Sequence, residues 1–366
     1  MLLFTPGPTP VPESVRQSMA LPTIHHRTPE FEAIFGEARE LLQEFIGSDE
    51  VLLLASSGTG AMEATVTNLT KEKIVTVNGG KFGERFGKIA QAHGITNCEL
   101  QYEWNTPANV EEVVNRVKER GADAVAIQIS ESSGGLRHPV EEIAKAVKEF
   151  NPEIMVIADG ITAMGVEKID TTNIDAFIGG SQKAFMLPPG LSMIGLSKRA
   201  VDHIEKSGGE GFYFNLKSEL KKQRQNTTAY TPATTLIMGL VQILKEFKEF
   251  GYENLFNESR KRAELSRKSL ESIGLKIYPK TPSIAMTTIY HERSPEIRKL
   301  LKSEFGVHLA GGQEQIKNLI FRINHMGIIP NSEMAWVLNS IEMALHKLEI
   351  RDYDGTANRV FSEGLI

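Results

Sequence analysis

The chain is predicted to be α/β, with a mainly parallel sheet sandwiched by helices and a smaller α+β domain toward the C-terminus. Through most of its length, short apolar runs alternate with amphipathic segments of helical period. Strands buried on both faces, with helices crossing over them, read this way. Beyond about Ser259 the order changes to helix, strand, helix, strand, helix, which suits a separate α+β unit. A length of 366 residues accommodates two domains.

The elements follow in order. Residues 1–12 carry four prolines and read as an extended arm rather than a helix or strand. From Glu30 to Phe45 the apolar residues Phe31, Ile34, Phe35, Ala38, Leu41, Leu42 and Phe45 recur with helical spacing. Val51–Ala55 reads as a buried strand. Strand–helix pairs then repeat at Lys73–Val77 with Phe82–Ala92 and at Ala122–Ser130 with Pro139–Phe150. Further strands are predicted at Ile154–Ala158, Ala176–Ile178 and Met193–Leu196, and a long helix at Leu236–Phe250 leads out of this core. Later strands fall at Ser283–Tyr290 and Leu319–Ile323. The expected organisation is an arm over 1–14, a large domain over 15–250 and a small C-terminal domain over 251–366. There is no internal repeat, and the tail after Asp352 carries no signal.

Composition narrows the function. With 41% hydrophobic and 24% charged residues the chain has ample core. Its formal net charge of −5 argues against nucleic acid or an anionic membrane as the main partner. The single cysteine, Cys98, excludes an intrachain disulfide and a thiolate cluster, and its segment reads as an ordinary strand. No signal-peptide pattern and no apolar run of membrane-spanning length is present, so a cytoplasmic location is expected.

Two residues suggest chemistry. Lys183 follows the strand Asp175–Ile178 on a Gly179-Gly180-Ser181-Gln182 turn, a poor place for a merely solvated charge. A lysine amine is suited to forming a Schiff base with an aldehyde cofactor. Asp159, 24 residues upstream, ends the run Ile154–Ala158. An acid at one strand end and a lysine after a nearby strand are what a pyridoxal phosphate (PLP) site requires: the acid pairs with the pyridinium nitrogen, the lysine with the aldehyde.

Other segments admit both a functional and a structural reading. Ser56-Ser57-Gly58-Thr59-Gly60 opens a helix after a strand, where free N–H groups suit a phosphate or simply form a capped turn. It is neither a Walker A loop nor a dinucleotide fingerprint. One helix terminus contributes about 0.3–1 kcal/mol, up to roughly 2 when partly buried, so a phosphate dianion needs more donors. Gln182 and the hydroxyls of Asn226-Thr227-Thr228-Ala229-Tyr230 are candidates. Phe86 reads as core, whereas Phe82, flanked by glycines at a helix start, is placed to stack on a flat ring. Ser132, at a strand end, is a candidate for the cofactor's phenolic oxygen. Arg322, within the apolar run Leu319–Ile323, is either half of an ion pair or a clamp for a substrate carboxylate. His25, His26 and Arg27 form a basic cluster lacking acidic ligands, which suits an anion or a subunit interface better than a metal.

Together these segments resemble the class V, fold type I, PLP-dependent aminotransferases of the alanine–glyoxylate and serine–pyruvate group. The matching pieces run in order from Thr5-Pro6-Gly7-Pro8 to Phe321-Arg322-Ile323. Between them come His26-Arg27-Thr28-x-x-Phe31, Ser57-Gly58-Thr59-Gly60-Ala61-Met62-Glu63, and Asn78-Gly79-x-x-Phe82-Gly83-x-Arg85. Then follow Glu131-Ser132-Ser133-Gly134, Ala158-Asp159-Gly160, Gly180-Ser181-Gln182-Lys183 and Tyr230-Thr231-Pro232. The resemblance implies a seven-stranded-type sheet and PLP as cofactor. It implies Lys183 as the Schiff-base lysine, Asp159 as pyridinium partner and Phe82 as ring stacker, although tryptophan is frequent there. Gly58, Thr59 and Gln182 would hold the phosphate, with Thr227 supplied by a neighbouring subunit where some members have tyrosine. Ser132 and Ile161 would complete the cofactor contacts. Arg322 would take the substrate carboxylate, with Gly7, His26 and Arg27 beside the substrate, and the protein would be a homodimer with its sites at the interface.

The expected activity is transfer of the amino group of serine or alanine to a 2-oxo acid such as pyruvate or glyoxylate. Phosphoserine aminotransfer, with His25, His26 and Arg27 as extra cations, is the main rival. A cysteine desulfurase is disfavoured because Cys98 lies early in the chain. A non-enzymatic subunit is disfavoured by the joint presence of Lys183, Asp159 and Arg322.

Overall fold

The computed structural model describes residues 1–207 and 209–366. Its large sheet orders the strands Glu50–Leu54, Ser192–Leu196, Ala176–Gly180, Met155–Asp159, Ala124–Gln128 and Lys73–Asn78, with Thr96–Asn97 and Leu100–Gln101 sharing the last edge. All pairs are parallel except those of Ser192–Leu196, which runs antiparallel to both neighbours. That exception has a local cause. The connection 181–191 contains no crossover helix, so the chain turns back beside the strand it has just left.

Side chains alternate across this sheet. Val51 and Leu53 face the helices Pro29–Ile46, Val110–Arg120, Val140–Phe150 and Thr234–Phe250, whereas Leu52 and Leu54 face Gly58–Leu69, Gly83–Ala92 and Lys198–Ser207. Each fully buried Leu, Ile or Val contributes about 1.5–3 kcal/mol relative to exposure, so the two faces lock the strand register. Apolar residues fill both layers, and chemistry is left to the strand ends.

A second, antiparallel sheet orders Lys276–Ile277, Met286–Tyr290, Ile320–Asn324 and Ala310–Gly311. Helices Tyr252–Ser272, Ser294–Glu304, Asn331–Lys347 and Thr356–Glu363 supply side chains to its core. Met286–Tyr290 begins later than the apolar run suggested. Ser283 leaves strand geometry to bond Ser130 Oγ at 2.6 Å and to accept from the Ala285 N–H at 3.1 Å.

Two expectations are corrected. The N-terminal arm is not wholly irregular, because Leu2–Leu3 adds a parallel strand to Val307–His308. Phe4 is buried in the second core, and its carbonyl accepts from the Asn324 N–H at 3.0 Å. The prolines begin only at Pro6, so residues 2–4 keep the donors a strand needs. Cys98 lies between two short edge strands, tied by its N–H to Ile74 O at 2.8 Å, and is partly exposed. No helix among the described residues is long and apolar enough to cross a membrane.

Candidate active site

Asp159 and Lys183 come together at the C-terminal ends of neighbouring parallel strands. Asp159 pairs across the sheet with Ile178 on one side and Gln128 on the other. Two residues past Ile178 its strand ends at Gly180, and the chain turns. The turn is fixed: Ser181 Oγ donates to Pro188 O at 2.7 Å, and the Leu187 N–H donates to Ser181 O at 3.0 Å. The N-terminal arm crosses it as well, with the Thr9 N–H on Gln182 O at 3.1 Å and Thr9 Oγ1 on Lys183 O at 2.7 Å. Lys183 therefore projects from a braced backbone, and its Nζ donates to Pro6 O. Gly7 has to be glycine: its φ is +114°, and a Cβ there would stand 2.8 Å from Lys183 Nζ.

The electrostatics favour reactive forms. Burial and the nearby Arg322 bring the Lys183 amine down to about 8. Burial likewise raises the Asp159 carboxyl to about 6, with Glu131 adding to the rise. Asp159 is 6% exposed, and its Oδ1 accepts from the Ile161 N–H at 2.9 Å. Among the described residues no cation lies within ion-pair distance of it. A buried acid left in this state is costly unless a cationic group arrives.

Helix Gly58–Leu69 begins beside this pair. Its N-cap residue Ser57 makes no side-chain cap; the Gly60 N–H donates to Ser57 O at 2.9 Å, and the N–H groups of Gly58 and Thr59 have no acceptor among the described residues. Gly58 packs against Ile161, where a Cβ would meet Ile161 Cδ1 at 2.3 Å. Gln182 leaves its amide oxygen buried without a partner. An orphaned amide next to an uncapped helix start calls for a polar ligand.

Glu131 is the residue whose part the sequence reading missed. Fully buried at the end of strand Ser130–Glu131, it accepts from the N–H groups of Phe82 at 3.0 Å and Gly83 at 2.8 Å, and from Ser133 Oγ at 2.6 Å. It caps helix Gly83–Ala92 from a distance. With Gln128 Nε2 on Phe82 O at 3.1 Å, it fixes Phe82 at both ends of the residue. An acid closing an apolar strand was the available signal.

Arg322 has no carboxylate partner among the described residues. Nε and Nη2 donate to Gly311 O at 3.0 and 2.6 Å, and Nη1 donates to Ser132 O at 2.5 Å. The ion-pair reading is thereby removed. Held by two carbonyls, 7% exposed, the guanidinium keeps its full charge and further N–H groups for a ligand. Ser132 is buried and enters this arrangement through its carbonyl.

His26, Arg27 and Thr227 form a separate group. Arg27 is exposed and donates to Thr227 Oγ1 and, at 2.9 Å, to Thr228 O. His25 and His26 stack with ring centroids 4.8 Å apart. None of these bonds reaches Lys183, Asp159 or Arg322. Among the described residues no group of His, Cys, Asp and Glu is placed to hold a metal ion.

The model for aminotransferase class-V matches residues 1–335. The chain belongs to that family. An aminotransferase of Helicobacter pylori, itself uncharacterized, is 53% identical over 363 residues, covering 99% of this chain and 98% of its own. The serine–glyoxylate aminotransferase of Methylorubrum extorquens is 28% identical over 363 residues, covering 94% and 90%. Among solved structures, an aspartate aminotransferase of subgroup IV from Thermus thermophilus is 32% identical. It superposes with a TM-score of 0.89, covering 95% of this chain and 99% of that one. The protein is thus a PLP-dependent aminotransferase with the α/β PLP-transferase fold. The residues at the strand ends fit that cofactor: a lysine amine lowered to about 8, a buried acid with no cation within ion-pair distance among the described residues, a helix start without a side-chain cap and an orphaned amide.

Proposed function

We propose that this aminotransferase takes a small L-amino acid, serine or alanine, as donor and a short 2-oxo acid such as glyoxylate or pyruvate as acceptor. The observation that carries an amino-acid and 2-oxo-acid substrate is Arg322, a buried guanidinium held by carbonyls and without a carboxylate within ion-pair distance among the described residues. The choice of a small donor rests on Arg27, below. One such fork suits the α-carboxylate that every amino acid and 2-oxo acid shares. The name of the relative from Methylorubrum extorquens supports serine as donor and glyoxylate as acceptor. Arg27, needed as an extra cation for phosphoserine, is instead engaged with Thr227 and Thr228.

In this reading Gly58, Thr59 and Gln182 hold the cofactor phosphate, Phe82 stacks on its ring, Asp159 faces the ring nitrogen, and Ser132 and Ile161 flank it. Bound PLP supplies an aldehyde that condenses with amines and a ring that accepts the electron pair released at the substrate Cα. Arg322 fixes the carboxylate and so sets which Cα bond faces Lys183. Lys183, whose amine titrates at about 8, would in its neutral form take the Cα proton and as general acid return it to the cofactor's C4′. The Pro6 carbonyl accepts from Nζ when the amine is free of the cofactor. Asp159 stays ionised once a protonated ring nitrogen pairs with it, an attraction of roughly 4 kcal/mol at contact and an effective dielectric near 20. Gly7 leaves room beside Nζ, with His26 and Arg27 at the margin. A homodimer in which Thr227 serves the neighbouring subunit's phosphate completes the proposal. Sedimentation of the holoenzyme at twice the chain mass is expected.

The test is the specificity of the purified enzyme. With glyoxylate and with pyruvate as acceptors, kcat/KM for L-serine and L-alanine should exceed that for L-phosphoserine and L-aspartate by at least about tenfold, roughly 1.4 kcal/mol. Preference for phosphoserine or aspartate would overturn the assignment of a small donor while leaving transamination intact.

A further inference from the structure

Arg85 lies between Thr59 and Phe82, the two residues proposed above to contact the cofactor. Its Nη1 donates to Thr59 Oγ1 at 2.8 Å, and its Cζ stands over the Phe82 ring, 4.7 Å from the centroid. Thr59 belongs to the uncapped start of helix Gly58–Leu69 and Phe82 to the start of helix Gly83–Ala92, which pack side by side against the large sheet. The guanidinium therefore spans the two helix starts. The main chain of Phe82 is already held by Glu131 and Gln128. What remains free is the tilt of the ring, and a cation over one face restricts that tilt.

We infer that Arg85 is a positioning residue for cofactor binding: it backs one face of Phe82, leaving the other for the PLP ring, and orients the Thr59 hydroxyl toward the phosphate. Its charge reaches further, since both Asp159 and Lys183 feel it. Only a planar fork serves both contacts at once. Lysine keeps the charge, yet a single ammonium on a flexible stem cannot bond Thr59 and lie flat on the ring together. The inference rests on the placement of Thr59 and Phe82 against PLP proposed above.

The test uses full-length protein freed of cofactor and titrated with PLP, comparing Arg85→Gln, Arg85→Lys, Thr59→Ala and Phe82→Leu. The dissociation constant is read from the visible absorbance, and the visible circular dichroism per bound PLP reports cofactor orientation. Arg85→Gln should weaken PLP about tenfold and diminish the dichroism, with Arg85→Lys between it and wild type. Combining Arg85→Gln with Phe82→Leu should cost less than the sum of the two, as coupled neighbours do. If Thr59→Ala and Phe82→Leu weaken PLP while Arg85→Gln leaves it unchanged, the inference is wrong. Tighter binding in Arg85→Gln would also sink it, because the guanidinium would then be covering the ring face that PLP needs. If neither Thr59→Ala nor Phe82→Leu affects PLP, the placement fails and the inference falls with it.

Discussion

Two buried aspartates on the same pair of strands face opposite demands. Asp175 sits just before strand Ala176–Gly180, fully buried, and each of its oxygens is saturated. Oδ1 accepts from Ser197 Oγ at 2.8 Å and Arg199 Nε at 2.9 Å, while Oδ2 accepts from the Val156 N–H at 2.8 Å and meets Lys148 Nζ at 2.5 Å. Asp159, at the far end of the adjacent strand, has the Ile161 N–H and no cation within ion-pair distance among the described residues. Burial is similar, and partnership decides what each is for. A saturated carboxylate fastens the fold, whereas an unsaturated one stores an unfavourable charge that a cationic ligand relieves.

The largest effect is expected at the unsaturated end. Lys183→Ala should abolish turnover, since loss of a general base alone costs about 10²–10⁴-fold and covalent capture of the cofactor is lost with it. Its far-ultraviolet dichroism should match wild type. Substantial remaining turnover would mean that the reacting lysine lies elsewhere. At the saturated end the loss should be of stability instead. Asp175→Ala strands Lys148 and Arg199 near a buried site, and urea unfolding of the cofactor-free protein should show a loss of about 3–5 kcal/mol. Activity per folded molecule should stay at wild-type level.

Arg322 tests whether the same contrast holds for cations. It is partnered by carbonyls rather than acids, and the proposed function has it take a substrate carboxylate as its counter-charge. Arg322→Ala should weaken amino-acid binding by roughly 2–5 kcal/mol. PLP affinity should change far less. Unchanged amino-acid affinity, read from substrate titration of the holoenzyme, would return Arg322 to a structural role.

Legibility in the sequence followed the same division. Strands and helices were readable because alternation and helical period are written in apolar residues such as Leu52 and Leu53, which face opposite layers. The reversal of Ser192–Leu196 was not, since strand direction depends on a connection whose apolar content resembles that of any other. The position of Lys183 and Asp159 at the ends of neighbouring strands was readable from type and place. By sequence Arg322 suits an ion pair or a clamp, and only its partners, two carbonyls from distant segments, separate these. Glu131 and Arg85 act through backbone N–H groups, a hydroxyl and a ring face, contacts between segments that no spacing encodes.

The smallest effect is the sharpest test, because its sign differs between the two aspartates. In the folded protein Asp159 keeps its proton up to about 6, against an ordinary value of 3.8. Between these values the folded state binds more protons than the unfolded one, so stability falls as pH rises through that window. Above it the full penalty applies, about 3 kcal/mol at most from the size of the gap. Asp159→Asn removes the charge at nearly constant shape. The cofactor-free variant should therefore be more stable than wild type at pH 7 and above, and the difference should shrink toward zero near pH 4. The same variant should bind PLP more weakly, since the ring nitrogen loses its counter-ion. Asp175→Asn, by contrast, should destabilise at pH 7 because Lys148 and Arg199 lose theirs. If both asparagine variants are destabilised at pH 7 without cofactor, Asp159 is a structural residue like Asp175 and the contrast between the strand ends collapses.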